Sequence, residues 1–72
     1  MQQIKQFFIN IGKGDIDVNE QNLVSNNIID SLDILNLVNE IEKYYNKELD
    51  SSLIQPKNFE NIKEMIKKAL SL

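Results

Sequence analysis

One helical spacing occurs three times along this chain, and it decides which class of fold is open to it. Ile4, Phe7, Phe8 and Ile11 fall at i, i+3, i+4 and i+7; so do Ile34, Leu37, Val38 and Ile41, and so do Ile62, Met65, Ile66 and Ala69. An α-helix turns about 100° per residue, so each set makes one apolar stripe on one helix. A strand needs alternation with a period of two, and no segment keeps that over a useful length. Three stripes that must bury against one another predict an all-α fold. The 72 residues suffice for one domain, residues 1–72, whose small core has no cysteine to staple it.

Local signals set the helix ends. The first helix is expected from about Gln2 to Ile11, with Gly12 and Gly14 where a C-terminal cap belongs. The second should start at Asp30 or Ser31 and run to Tyr45 or Asn46. Asp30 is a good N-cap, and Asp33 three residues on suits a capping box. The last should run from near Asn61 to about Leu70, with Lys67 and Lys68 in its final turns, where the helix dipole favours cations. Pro56 interrupts the chain before it, and Asp50 can cap a short helical turn through Ile54. The expectation is a small four-helix bundle: three main helices plus that one short turn before the last. Phe7, Phe8, Leu37, Val38, Ile41, Tyr45, Ile62 and Ile66 are its expected core.

The connection from Lys13 to Ile29 is much longer than the roughly 2 to 8 residues that usually join two helices. Its Ile16, Val18, Leu23, Val24, Ile28 and Ile29 call for burial. Such a loop must pack across the bundle and deliver the start of the second helix.

The residue types that are missing narrow the chemistry. The chain has no His, Cys, Trp or Arg, and all eight basic residues are Lys. The common nucleophile–base pairs and transition-metal ligand sets cannot be assembled. Asp15-Ile16-Asp17-Val18-Asn19 opens like a calcium loop, but Glu20 stands where the turn glycine belongs and Asn26 where the bidentate Glu should be. Gly12-Lys13-Gly14-Asp15 is too short and wrongly ordered to cradle a phosphate. The chain is therefore expected not to be an enzyme. No apolar run is long enough to span a bilayer, and Met1-Gln2-Gln3-Ile4-Lys5 does not open like a signal peptide, so the expected setting is cytoplasmic. Residues 15–50 hold nine acids against two lysines, a net −7. That field repels nucleic acid and favours basic protein partners.

The second helix has leucines that its stripe does not use. With Ile34 at 0°, Leu37, Val38, Ile41 and Tyr45 cluster within about 60°, while Leu35 falls near 100° and Leu32 near 160°. Asp30, Asp33, Asn36 and Glu40 lie close by in sequence. Leucines rimmed by acids and amides make a docking surface; the alternative is that the long loop covers them.

Asn26-Asn27-Ile28-Ile29-Asp30-Ser31-Leu32-Asp33-Ile34-Leu35 resembles the prosthetic-group site of acyl carrier proteins and the related peptidyl carriers. The likeness continues on both sides. A long apolar loop precedes Asp30-Ser31-Leu32, an amphipathic helix follows it, and then come Lys47-Glu48-Leu49-Asp50, Pro56, and Phe59 and Ile62 leading into a final helix. The resemblance covers nearly the whole chain, in order.

It implies that a phosphopantetheinyl transferase moves 4′-phosphopantetheine from coenzyme A onto Ser31. The thiol of that arm then carries acyl or aminoacyl groups as thioesters, and a chain without Cys offers no competing thiol. The implied partners are the transferase, an acyl- or aminoacyl-loading ligase, and a downstream acyltransferase or synthase. They are expected to engage a monomer through Asp30, Leu32, Asp33, Leu35, Asn36 and Glu40, with basic side chains meeting the acids. Ile28-Ile29 stand where fatty-acid-synthesis carriers have Gly and a small residue, and Asn36 and Asn39 where their helix is more acidic. The pattern is closer to carriers of specialised biosynthetic pathways, such as polyketide synthesis, nonribosomal peptide synthesis, or surface-polysaccharide and cell-wall modification. Asn27 occupies a place where many carriers have Gly, and Asn tolerates the positive φ such a place requires. The competing reading is a helical protein-interaction module whose Ser31 is never modified.

Overall fold

A computed structural model describes residues 2–70, the side chains of Gln2 and Leu70 excepted. The described chain is helical without strands: α1 spans Gln2–Asn10, α2 Ser31–Tyr45 and α3 Ile62–Leu70, with 3-10 turns at Ser51–Leu53 and Pro56–Phe59. Helix α1 packs on α2, and α3 lies against both 3-10 turns, the second of which also touches α2.

Each boundary has a local cause. Helix α1 ends at Asn10, one residue before the expected Ile11. Gly12, at φ +81°, turns the chain left-handed. Its N–H donates to Ile9 O (3.0 Å), and Lys13 N–H reaches back to Phe8 O (2.8 Å). Those paired bonds satisfy the last carbonyls of the helix, as a Schellman cap does. Helix α2 opens with a reciprocal capping box: Asp33 N–H donates to Asp30 Oδ1 (2.9 Å), and Asp30 N–H to Asp33 Oδ2 (3.2 Å). It closes at Asn46, again left-handed, at φ 52°. Asp50 caps the first 3-10 turn through Ser52 N–H (2.9 Å), and Asn61 Oδ1 accepts from Glu64 N–H (3.1 Å) at the start of α3.

The three stripes meet as their spacing requires. Ile4, Phe7, Phe8, Ile34, Leu37, Val38, Ile41, Ile62, Met65, Ile66 and Ala69 are all buried in one cluster. Tyr45 is a correction: expected in the core, it is only half-buried, on the last turn of α2. Its ring meets Phe7 and Tyr44 edge-on, at 6.5 Å and 4.8 Å between centroids. A ring with a polar hydroxyl is suited to such a rim. Phe59, from the second 3-10 turn, is fully buried instead.

The long loop behaves as core. Leu23 is fully buried, Ile29 and Ile16 nearly so, and Val18, Val24 and Ile28 pack partly against them. Leu23 is held on both sides. Its N–H donates to Glu60 O (3.1 Å), and its carbonyl accepts from Ile28 (2.9 Å) and Ile29 (3.1 Å). Asn22 and Asn27 take positive φ, 58° and 56°, so the loop turns at its asparagines.

Candidate functional site

Ser31 is the first residue of α2, and it is exposed. The residues that fix it are its neighbours. Asp30 and Asp33 lock the first turn through the capping box, and Ile34 N–H closes the helix onto Asp30 O (3.0 Å). From behind, Lys13 Nζ reaches Asp33 Oδ2 (3.5 Å) and Ile28 O (3.4 Å), tying the beginning and end of the long loop to the helix start. Asp30 is held below the usual carboxylate range, mainly by the Asp33 N–H, then by the Leu32 N–H and the charge of Lys13, with the loss of some hydration opposing. The Asp30 carboxylate thus takes up first-turn donors. An anion on Ser31 Oγ would lie outside that cap, toward solvent.

Leu32 is 63% exposed and Leu35 56% exposed, so the loop covers neither of them. Two of the three acids expected around them are placed otherwise. Asp33 is buried at 8% exposure and faces Lys13, a correction to its place among outward charges. Glu40 is half-buried, and its Oε1 accepts from Asn10 Nδ2 at the end of α1 (2.6 Å). The reason is angular. On the wheel that puts Leu35 and Leu32 on one flank of Ile34, Asp33 and Glu40 fall about 100° to 120° to the other side. Asn36 is half-buried, and Asp30 is exposed.

Three partners were not legible in sequence: Lys13, Asn10 and Glu60. The Glu60 carboxylate gathers the loop: Val24 N–H (2.9 Å) and Ser25 N–H (3.0 Å) donate to Oε1, and the Ser25 hydroxyl to Oε2. Its partners lie 35 and 36 residues away, beyond any local pattern.

Among the described residues, no group of three or more Asp and Glu side chains is placed to hold a metal ion. No helix among them is long and apolar enough to cross a membrane. No family model, no curated protein and no solved structure matches the chain.

Proposed function

We propose that this chain is an acyl carrier protein that bears 4′-phosphopantetheine on Ser31. The observation that carries the reading is the exposed Ser31 hydroxyl at the first position of a rigidly capped helix, with the exposed Leu32 and Leu35 beside it. On this reading the turn at Ser51–Leu53 takes the place of the short member of a four-helix bundle. The residues fit the group: a serine open to solvent accepts a bulky phosphodiester without disturbing the core.

The attachment balances simply. A bond forms between Ser31 Oγ and the phosphorus that bears the pantetheine. The pyrophosphate bond of coenzyme A breaks, adenosine 3′,5′-bisphosphate leaves, and the serine proton passes to a base of the transferase. The arm supplies a thiol that carries acyl or aminoacyl cargo as a thioester. The chain's own residues do the rest by position. Asp30 and Asp33 hold the first turn, Lys13 holds Asp33, and Leu32 and Leu35 offer apolar contact to partner enzymes beside the arm. The partners are then a phosphopantetheinyl transferase, a loading ligase and a downstream acyltransferase or synthase, and the setting is the cytoplasm. The chain itself is non-catalytic, a substrate and shuttle.

Intact mass after incubation with coenzyme A and a broad-specificity phosphopantetheinyl transferase tests this. The expected result is one added arm on the native chain and none on Ser31→Ala. An unmodified native chain favours the helical interaction module, and an Ala variant that still gains the arm makes Ser31 the wrong residue.

A further inference from the structure

We infer that residues 22–29 form a flap that opens as one unit when Glu60 lets go, while the three helices stay packed. The flap is a property of the fold and does not rest on the carrier reading. Its hydrogen bonds run mostly within itself. Asn26 N–H donates to Asn22 O (2.9 Å), Asn27 N–H to Val24 O (3.0 Å), and Ile28 and Ile29 N–H to Leu23 O (2.9 and 3.1 Å). The segment carries no charged residue. Among the described residues, its hydrogen bonds to the rest of the chain go to one acid and one base. Glu60 takes three successive backbone donors: Leu23 N–H on its carbonyl (3.1 Å), and Val24 and Ser25 N–H on its carboxylate (2.9 and 3.0 Å). The carboxylate also accepts the Ser25 hydroxyl. At the other end Lys13 Nζ reaches Ile28 O at 3.4 Å, a longer and weaker bond.

Leu23 makes the unit move together. Its N–H is held by Glu60 while its carbonyl holds Ile28 and Ile29, so it cannot leave alone. Once it leaves, the remaining turns are too short to hold without the core, and their amides meet water. The segment buries two side chains, Leu23 and Ile29, and leaves the others half-buried or exposed. Helix α2 alone buries Asp33, Ile34, Leu37, Val38 and Ile41. Few buried contacts and one shared anchor put the segment at the low-stability end of the molecule. Opening breaks neither bond of the Asp30–Asp33 box, so α2 keeps its capped start. It lifts Leu23 and Ile29 out of the core and leaves an apolar recess beside the entry to α2.

Native-state hydrogen exchange on the full chain, read residue by residue by NMR across low urea concentrations, tests this. The amides of Asn26, Asn27, Ile28 and Ile29 are expected to share one protection within about threefold, with a small urea dependence, as one local unit does. The α2 amides of Leu37, Val38 and Ile41 should be at least about tenfold better protected and more urea-dependent, because they need global unfolding. Glu60→Ala should speed the four flap amides, none of which bonds Glu60, by about fivefold or more. Glu60→Gln should act in the same direction and serves if the Ala variant does not fold. Ile41→Val should speed the α2 amides by about two- to tenfold and leave the flap unchanged. Flap amides that match α2 in the native chain and follow it in Ile41→Val overturn the flap. Flap amides that neither Glu60 variant speeds overturn the role of Glu60 as its anchor.

Discussion

Lys13 Nζ lies 3.5 Å from Asp33 Oδ2, and this ion pair fastens the start of the long loop to the first turn of α2. The Asp33 side chain is 12% exposed and the Lys13 side chain 40%, so water screens the cation more than the acid. Lys13→Met is expected to cost about 0.5 to 1 kcal/mol, the range of a partly screened pair. In a domain this small that lowers the melting temperature by about 2 to 8 °C. Thermal unfolding followed by circular dichroism reads it directly, and an unchanged midpoint would mean that the pair contributes nothing.

Leu37 and Leu35 stand two residues apart on α2 with opposite environments, fully buried and 56% exposed. Leu37→Ala is expected to cost about 2 to 5 kcal/mol through lost burial and the cavity left behind. Leu35→Ala should stay within about 0.5 kcal/mol, as surface substitutions do. Urea unfolding of the two variants side by side checks the helix register.

The Glu60 clasp predicts an acid-sensitive fold. Hydrogen bonds from the Ser25 hydroxyl first, then the Ser25 N–H and the Val24 N–H, hold the Glu60 carboxyl below the ordinary glutamate range, with burial opposing. A group depressed in the folded state stabilises above its unfolded value, and that contribution is lost as pH falls through the folded value. Asp30 and Asp50 are depressed by backbone hydrogen bonds and act in the same direction. The melting temperature should therefore hold steady above the ordinary carboxylate range of about 4 to 4.5 and fall below it. Glu60→Gln should melt lower than the native chain near neutrality, with the gap closing in acid. A gap that stays constant down the pH series would remove Glu60 from the account.

Asn27 sits at φ 56°, a conformation that glycine and asparagine enter easily and β-branched residues do not. Asn27→Val is expected to cost about 1 to 2 kcal/mol, whereas Asn27→Gly should remain within about 1 kcal/mol of the native chain. Denaturant midpoints of the two variants separate backbone strain from the loss of the amide.

What the sequence determined by itself is what depends on near neighbours along the chain. The apolar spacing decided the three helices and the faces they bury, because side chains three and four residues apart share a face. The Asp30–Asp33 box, the Asp50 cap and the turn at Gly12 were legible for the same reason: each is closed within a few residues. The tertiary structure decided the rest. Asp33 looked like one of the outward acids, and its partner Lys13 is brought to it by the loop. Glu40 turned to Asn10, 30 residues away, and Glu60 to Val24, 36 residues away. Phe59 took the central place expected of Tyr45, because a short 3-10 turn pointed it inward while the end of α2 reached the rim. Hydrophobic spacing reports which face of a helix is apolar, but the partner of a charge is fixed by where distant segments cross. The helical wheel puts Asp33 and Glu40 on the flank away from Leu32 and Leu35, and the crossing decides which distant groups they meet there, Lys13 and Asn10.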